Sequence, residues 1–415
     1  MSPAYPRSVA LINPMADFGI DTYTHELAQG LAANGVRTDV YSADASTLRV
    51  PAAQLNYRRF HVLGSRFPVQ LADATRPRAE LASVLSEAAG RRPRASPNGQ
   101  PRAWKRWMRD LYLTGELALH LKRANYDVVW TQWPDLGSYS RFWRASRLLH
   151  MPVVHTVHNI LPHERSAGDM VMCETAYRTA RLLFVHSTPV RKELVTLFPA
   201  YASKVVTIPH GAYTIYPRLP DARSRLRTEL QIGPDQIVLL VCGAIRPYKN
   251  VGGCIDAMAL LERNDAVLII AGSEPGSSTE NPLPATSEHV RDAGIGSRVR
   301  LLPGFRDVAR MAELFEAADV LLLPYHKSYG SGLLMLGITF GKYILATKPG
   351  MEETASMYSR GILLDGTTGE DIKSGIERAV SRVRLDPGAP NAIPPQFQWD
   401  VIAANCLEAI RLHLA

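Results

Sequence analysis

Residues 237–272, IVLLVCGAIRPYKNVGGCIDAMALLERNDAVLIIAG, decide the fold. IVLLVCGAI and AVLIIAG are short runs, apolar without alternation, and between them GGCIDAMALLE reads as a helix. Continuous apolar runs of this length fit strands covered on both faces, the condition inside a parallel sheet. Parallel neighbours need a crossover, and the helical stretch supplies it. Downstream, VRLLPG, DVLLLPY and KYILAT repeat the strand pattern, with VARMAELFEAA as a further helix.

The same alternation fills the first half. SVALINP is a strand, MADFGID a loop, and TYTHELAQGLAANGV a helix with Leu27 and Leu31 four apart and Gly35 as its C-cap. TDVYSA, YDVVWTQW, PVVHTVHN and RLLFVHS add strands, and VTIPHGAYTIYPRLPDA, with its prolines and glycine, reads as an interdomain linker. The expected fold class is therefore α/β, with two doubly wound Rossmann-like domains facing a cleft and ligands beyond the carboxyl ends of the strands.

With 415 residues, 46% of them hydrophobic and 21% charged, the chain can bury two cores, which excludes disordered and fibrous classes. The N-terminal stretch lacks the charged start and apolar run of a signal peptide, and no apolar run approaches a membrane span, so a cytoplasmic location is expected. Cys173, Cys242, Cys254 and Cys406 show no ligand or disulfide spacing and read as reduced thiols. The net charge of +8 calls for an anionic partner. Between Arg76 and Arg109 nine cations face two acids, and Trp104, Trp107, Met108, Leu111 and Leu117 follow at near-helical spacing. That segment reads either as a basic amphipathic helix on an anionic membrane surface, with Trp104 and Trp107 at the headgroups, or as a core-packed helix with a solvated basic face. Nucleic acid is not expected, because no recognition motif accompanies the charge.

Two elements carry anion chemistry. In VCGAIRPYKN, Arg246 and Lys249 follow a strand end and precede a helix, where a bidentate guanidinium and a compact ammonium can hold a diphosphate. In LLLPYHKSYGSGLLMLGITFGKYILAT, a helix starts near Ser331, so the N–H groups of Ser331, Gly332 and Leu333 form a second anion site, and Gly330 and Gly332 let phosphate approach the main chain.

In order and spacing, these segments resemble the GT-B glycosyltransferases of the GT4-like group over nearly the whole chain. DFGIDTYTHELAQGLAANGVRTDVYS resembles that group's acceptor-side loop and first helix, with Gly19 as the loop glycine; TVHNILPHE resembles its histidine strand, with His158 at the matching position. IPHGAY resembles the interdomain segment, RPYKN the phosphate motif, and LLPGFRD the segment that meets the donor base around Gly304 and Phe305. The C-terminal FQWDVIAANCLEAIRLHLA resembles a helix that crosses back to the first domain. The resemblance implies domains at 1–210 (acceptor), 211–395 (nucleotide-sugar) and 396–415 (returning helix).

The two glutamates that retaining members carry after the LLLP strand would fall near Ser328 and Leu336, where this chain has none. In this respect it is similar to inverting exopolysaccharide mannosyltransferases, which implies inversion and a GDP-mannose donor, while the basic amphipathic segment points to a lipid-linked saccharide acceptor. An inverting displacement needs a base, for which Glu164, Asp17 and His163 are the candidates, Glu164 ahead of Asp17, with His158 at the donor sugar. With no DxD-like cluster, no metal and no cofactor are expected; Arg246, Lys249 and the helix dipole stand in at the leaving group. A retaining transferase, a nucleotide-sugar epimerase and a non-catalytic donor-binding scaffold are the alternatives.

Overall fold

The computed structural model describes residues 5–14, 18–43, 55–60, 117–134, 140–161, 168–274, 283–304, 308–328, 330–348, 350–387 and 392–414. The chain forms two compact units, Met1–Gly211 with Pro395–Ala415, and Ala212–Pro394.

The first unit holds a seven-stranded sheet: β1 (Ser8–Asn13), β2 (Arg37–Ala43), β3 (Leu55–Phe60), β4 (Val128–Thr131), β5 (Val153–Thr156), β6 (Leu182–Val185) and β7 (Val205–Thr207). The strands lie in the order β3-β2-β1-β4-β5-β6-β7, every pair parallel. Buried Val9, Leu11, Val128, Trp130, Val154 and Phe184 form its core with the helix Phe18–Ala33 and the returning helix Trp399–Leu414. Helix Phe18–Ala33 stops at Gly35, whose φ of 80° turns the chain so that Val36 N–H reaches Leu31 O and Gly35 N–H reaches Ala32 O. This pair of bonds is the Schellman closure that glycine favours. The two helices pack backbone to backbone at Gly30, where a Cβ would lie 2.3 Å from Trp399 O.

The second unit holds six parallel strands: β8 (Ile237–Cys242), β9 (Ala266–Gly272), β10 (Val299–Pro303), β11 (Val320–Leu323), β12 (Tyr343–Ala346) and β13 (Gly361–Leu363). Their order is β10-β9-β8-β11-β12-β13, so the winding reverses between β8 and β11. Strands β8, β9, β11 and β12 are buried along their whole length, as their unbroken Val/Ile/Leu character requires. Both units are thus doubly wound, as expected. In each, the reversal leaves a crevice at the carboxyl edge. Among the described residues no helix is long and apolar enough to cross a membrane, and Cys173, Cys242, Cys254 and Cys406 are all buried and unlinked.

Candidate functional site

At the reversal in the second unit the strands end on bare backbone. Gly243, Gly272 and Gly304 follow or close β8, β9 and β10 with φ of 90°, 156° and 95°, values side chains rarely adopt. Gly243 N–H donates to Ala271 O at 2.9 Å and Gly304 N–H to Gly272 O at 2.8 Å. A Cβ on Gly272 would stand 2.0 Å from Gly243 O. The three strand ends form a platform without side chains.

From this platform the chain passes Ile245, held by Ser273 O, into a single 3-10 turn, Pro247–Lys249. Asn250 stops the turn in the left-handed region at φ 54° and caps the next helix by accepting from Gly253 N–H, while its amide donates to Thr367 O at 2.7 Å. This reversal sends Lys249 back over its own strand. Its Nζ donates to Cys242 O at 3.3 Å and lies 5.9 Å from the centre of the Tyr325 ring. Only 7% of Lys249 is exposed. Burial lowers its pKa, and Arg246 adds to the effect. Among the described residues no carboxylate forms an ion pair with it. A buried ammonium satisfied only by a carbonyl is half of an unfinished charge pair.

The second anion element meets the first at Gly243: a Cβ there would lie 2.9 Å from Lys249 Nζ and 3.6 Å from Leu333 Cδ1. Leu333 sits in the first turn of the helix Gly332–Thr339, capped by Ser331 Oγ, which accepts from Leu334 N–H at 3.4 Å. That leaves the N–H groups of Gly332 and Leu333 directed past the helix start, where the dipole favours anions. Ser328 is occupied locally, donating to Gly330 O at 2.6 Å and accepting from Gly330 N–H. Leu336 is buried, so neither position offers an acid.

In the first unit, His158 lies just beyond β5 with Nε2 3.2 Å from Gln132 Oε1. Its ring stands 4.6 Å from Tyr23 and 5.4 Å from His186, which is 5.1 Å from His210. Burial holds all three imidazoles neutral: His158 falls well below the usual histidine range, His186 to about 3 and His210 to about 4, and for His158 and His186 neighbouring imidazoles add to the effect. Neither His186 nor His210 was singled out from sequence. The signal was there, since VVHTVHN, LLFVHS and VTIPHG each place a histidine at the end of an apolar run. His155, by contrast, is a core residue bonded to Thr131 Oγ1 at 2.8 Å. Gly19 is exposed in the first turn of helix Phe18–Ala33. Asp17, His163, Glu164, Phe305, Trp104 and Trp107, with the rest of the basic segment through 116, lie outside the described residues. Among those described, no group of three or more His, Cys, Asp or Glu could hold a metal ion.

Two family models divide the chain as the two sheets do. Residues 19–214 match Glycosyltransferase Family 4, and residues 222–385 match Glycosyl transferases group 1. A D-inositol 3-phosphate glycosyltransferase of Actinosynnema mirum is 24% identical over 94% of this chain and 91% of its own. One from Kineococcus radiotolerans is 27% identical over 75% and 69%. The structure resembles a glycosyltransferase from Rickettsia africae (TM-score 0.68, 14% identity, 99% of both chains). It also resembles the Anabaena protein HepE in complex with UDP and glucose (TM-score 0.61, 16% identity, 98% of both). A third likeness is to the catalytic domain of starch synthase IV from Arabidopsis thaliana bound to ADP and acarbose (TM-score 0.70, 14% identity, 99% and 100%). With both halves matched in sequence and both sheets in fold, the chain is a glycosyltransferase of the GT-B type.

Proposed function

We propose that this enzyme transfers a hexose from a nucleoside diphosphate sugar to an acceptor hydroxyl, with the diphosphate held by Arg246, Lys249 and the helix start at Ser331, Gly332 and Leu333. The observation that carries the reading is Lys249, a buried ammonium with no carboxylate partner among the described residues, set at the strand reversal. Charge grows on the leaving diphosphate as the glycosidic bond breaks, and these donors are placed to stabilise it without a metal ion. Gly304 and Phe305 belong to the nucleoside end.

The finer assignment is an inverting displacement from GDP-mannose to a lipid-linked saccharide in surface or exopolysaccharide synthesis. Glu164 or Asp17 takes the acceptor proton, and neutral His158 hydrogen-bonds the sugar; Gly19 borders the acceptor. The enzyme would work on the cytoplasmic face of the membrane, with Trp104, Trp107 and their basic neighbours meeting anionic lipid. Its support is the absence of acids at Ser328 and Leu336 and the basic segment of the sequence. A second reading, a UDP-sugar donor with an inositol phosphate acceptor, is favoured by the UDP complex of the Anabaena protein and by the relatives' activity.

A thermal-shift screen against GDP, UDP, ADP and dTDP tests the donor. Stabilisation by GDP alone, followed by mannosyl transfer with anomeric inversion, is the expected result. Selective stabilisation by UDP would move the assignment to the second reading, and no shift with any nucleotide would sink the donor site.

A further inference from the structure

We propose that Tyr213 is a further donor-binding residue, whose phenol hydroxyl joins the diphosphate cradle at the start of helix Gly332–Thr339. This rests on the donor-site reading above and adds a residue to it.

Tyr213 is the second residue of the second unit and is 4% exposed. Its main chain is tied to one end of that helix and its ring to the other. Tyr213 N–H donates to Thr339 Oγ1 at 2.9 Å, and the same hydroxyl donates to Met335 O at 3.0 Å. From the last turn the side chain runs back towards the first. A Cβ on Gly332 would lie 2.8 Å from Tyr213 Oη, 3.3 Å from Cε2 and 3.5 Å from Cζ. Glycine at 332 is therefore what lets the phenol reach the helix start. The helix cannot retreat from the ring, because on its other side Gly337 seats against β11 and β12: a Cβ there would stand 2.8 Å from Ile344 Cδ1 and 2.9 Å from Leu321 Cδ2.

The hydroxyl thus arrives beside Gly332 in the first turn, and the next residue, Leu333, borders the Gly243 and Lys249 side of the cradle. A phenol at this point adds an O–H donor to a place already built from N–H donors and a cation, the composition that suits phosphate oxygens. The phenol keeps its proton throughout and donates to the oxygen on which charge accumulates, so its loss should lower turnover as well as binding.

The test is calorimetric titration of wild type, Tyr213→Phe and Arg246→Ala with UDP, UMP, GDP and GMP, using the pair that binds wild type. Tyr213→Phe is expected to bind the diphosphate about tenfold more weakly and the monophosphate within about twofold of wild type. Unchanged diphosphate affinity in Tyr213→Phe, with Arg246→Ala clearly weakened, would reduce Tyr213 to a packing residue and overturn the proposal. Equal losses on diphosphate and monophosphate would overturn the assignment to the leaving phosphate. If Arg246→Ala and Tyr213→Phe both bind like wild type, or wild type binds neither diphosphate, the donor-site reading itself fails.

Discussion

Lys249 Nζ donates to the carbonyl oxygen of Cys242, 3.3 Å away, so the cation is folded back onto the strand that precedes it. Among the described residues no carboxylate pairs with it, and burial with Arg246 alongside lowers its pKa from the ordinary 10.5. A diphosphate would reverse that pressure, because the anion favours the charged amine. Donor binding should therefore take up a proton at alkaline pH, and nucleoside diphosphate affinity should fall as pH rises from 7 towards 10. Titrations in buffers of different ionisation enthalpy measure this proton uptake directly. Lys249→Arg, always charged, should flatten the profile, and Lys249→Met or Arg246→Ala should cost about 10- to 100-fold in affinity. Identical pH profiles for wild type and Lys249→Arg would remove Lys249 from the phosphate site.

The glycines at the strand ends should rank by what surrounds them. Gly272→Ala drives a methyl to within 2.0 Å of Gly243 O, and backbone cannot step aside. A loss of about 3 kcal/mol or more is expected. Gly304→Ala meets nothing within 4 Å and carries only the strain of φ 95°, about 1 kcal/mol. Urea denaturation of both variants checks the order; equal losses would contradict the close approach of β8 and β9.

His158, His186 and His210 should not titrate between pH 5.5 and 8. Their folded pKa values lie below the unfolded value of 6.5, so the unfolded chain binds more protons as the pH drops. Stability is therefore full above about 6.5 and declines as pH falls through 6 towards 4. His186→Gln should soften that decline. Imidazole resonances followed by NMR give the individual values, and a His158 resonance moving with a midpoint near 6.5 would contradict its enclosure by Tyr23, Gln132 and His186.

The fold was readable because parallel strands covered on both faces leave a strong trace. IVLLVC, AVLIIAG, VLLL and YILA are almost wholly apolar and became β8, β9, β11 and β12. The strands that escaped notice are β3, LNYRRF, which alternates with polar residues at the edge of its sheet, and the three-residue β7 and β13, too short to show any period. At the candidate site, Arg246, Lys249 and Ser331 could be nominated from the sequence because strand-end cations and helix-start serines have a local chemical rationale. Tyr213 could not, since its proposed role depends on a close approach to Gly332, 119 positions away in the chain, that no local pattern encodes.

Lys342 offers a test of the second unit's stability, apart from the donor site. It is 7% exposed at the start of β12, and its Nζ donates to Glu316 O at 3.3 Å. The acids around it are already engaged: Glu316 binds Arg218 at 2.7 Å, while Asp319 binds Arg223 and Arg227, each at 2.7 Å, and accepts from Val238 N–H. Lys342 is thus a surplus buried cation, and burial, with Arg223 adding to it, lowers its pKa from 10.5 to about 8. The folded state then binds this proton less well than the unfolded chain. Below about pH 8 the penalty on folding is complete; as pH rises through 8 towards 10.5 it disappears. Lys342→Met removes the charge while keeping much of the chain volume, so it should stabilise the unit at pH 7 by roughly 2–3 kcal/mol. The advantage should shrink steadily towards pH 10, where wild type has shed the same charge. Denaturation of both proteins at pH 7, 8, 9 and 10 measures the gap, and a gap that stays constant would mean that Lys342 titrates like an ordinary exposed lysine.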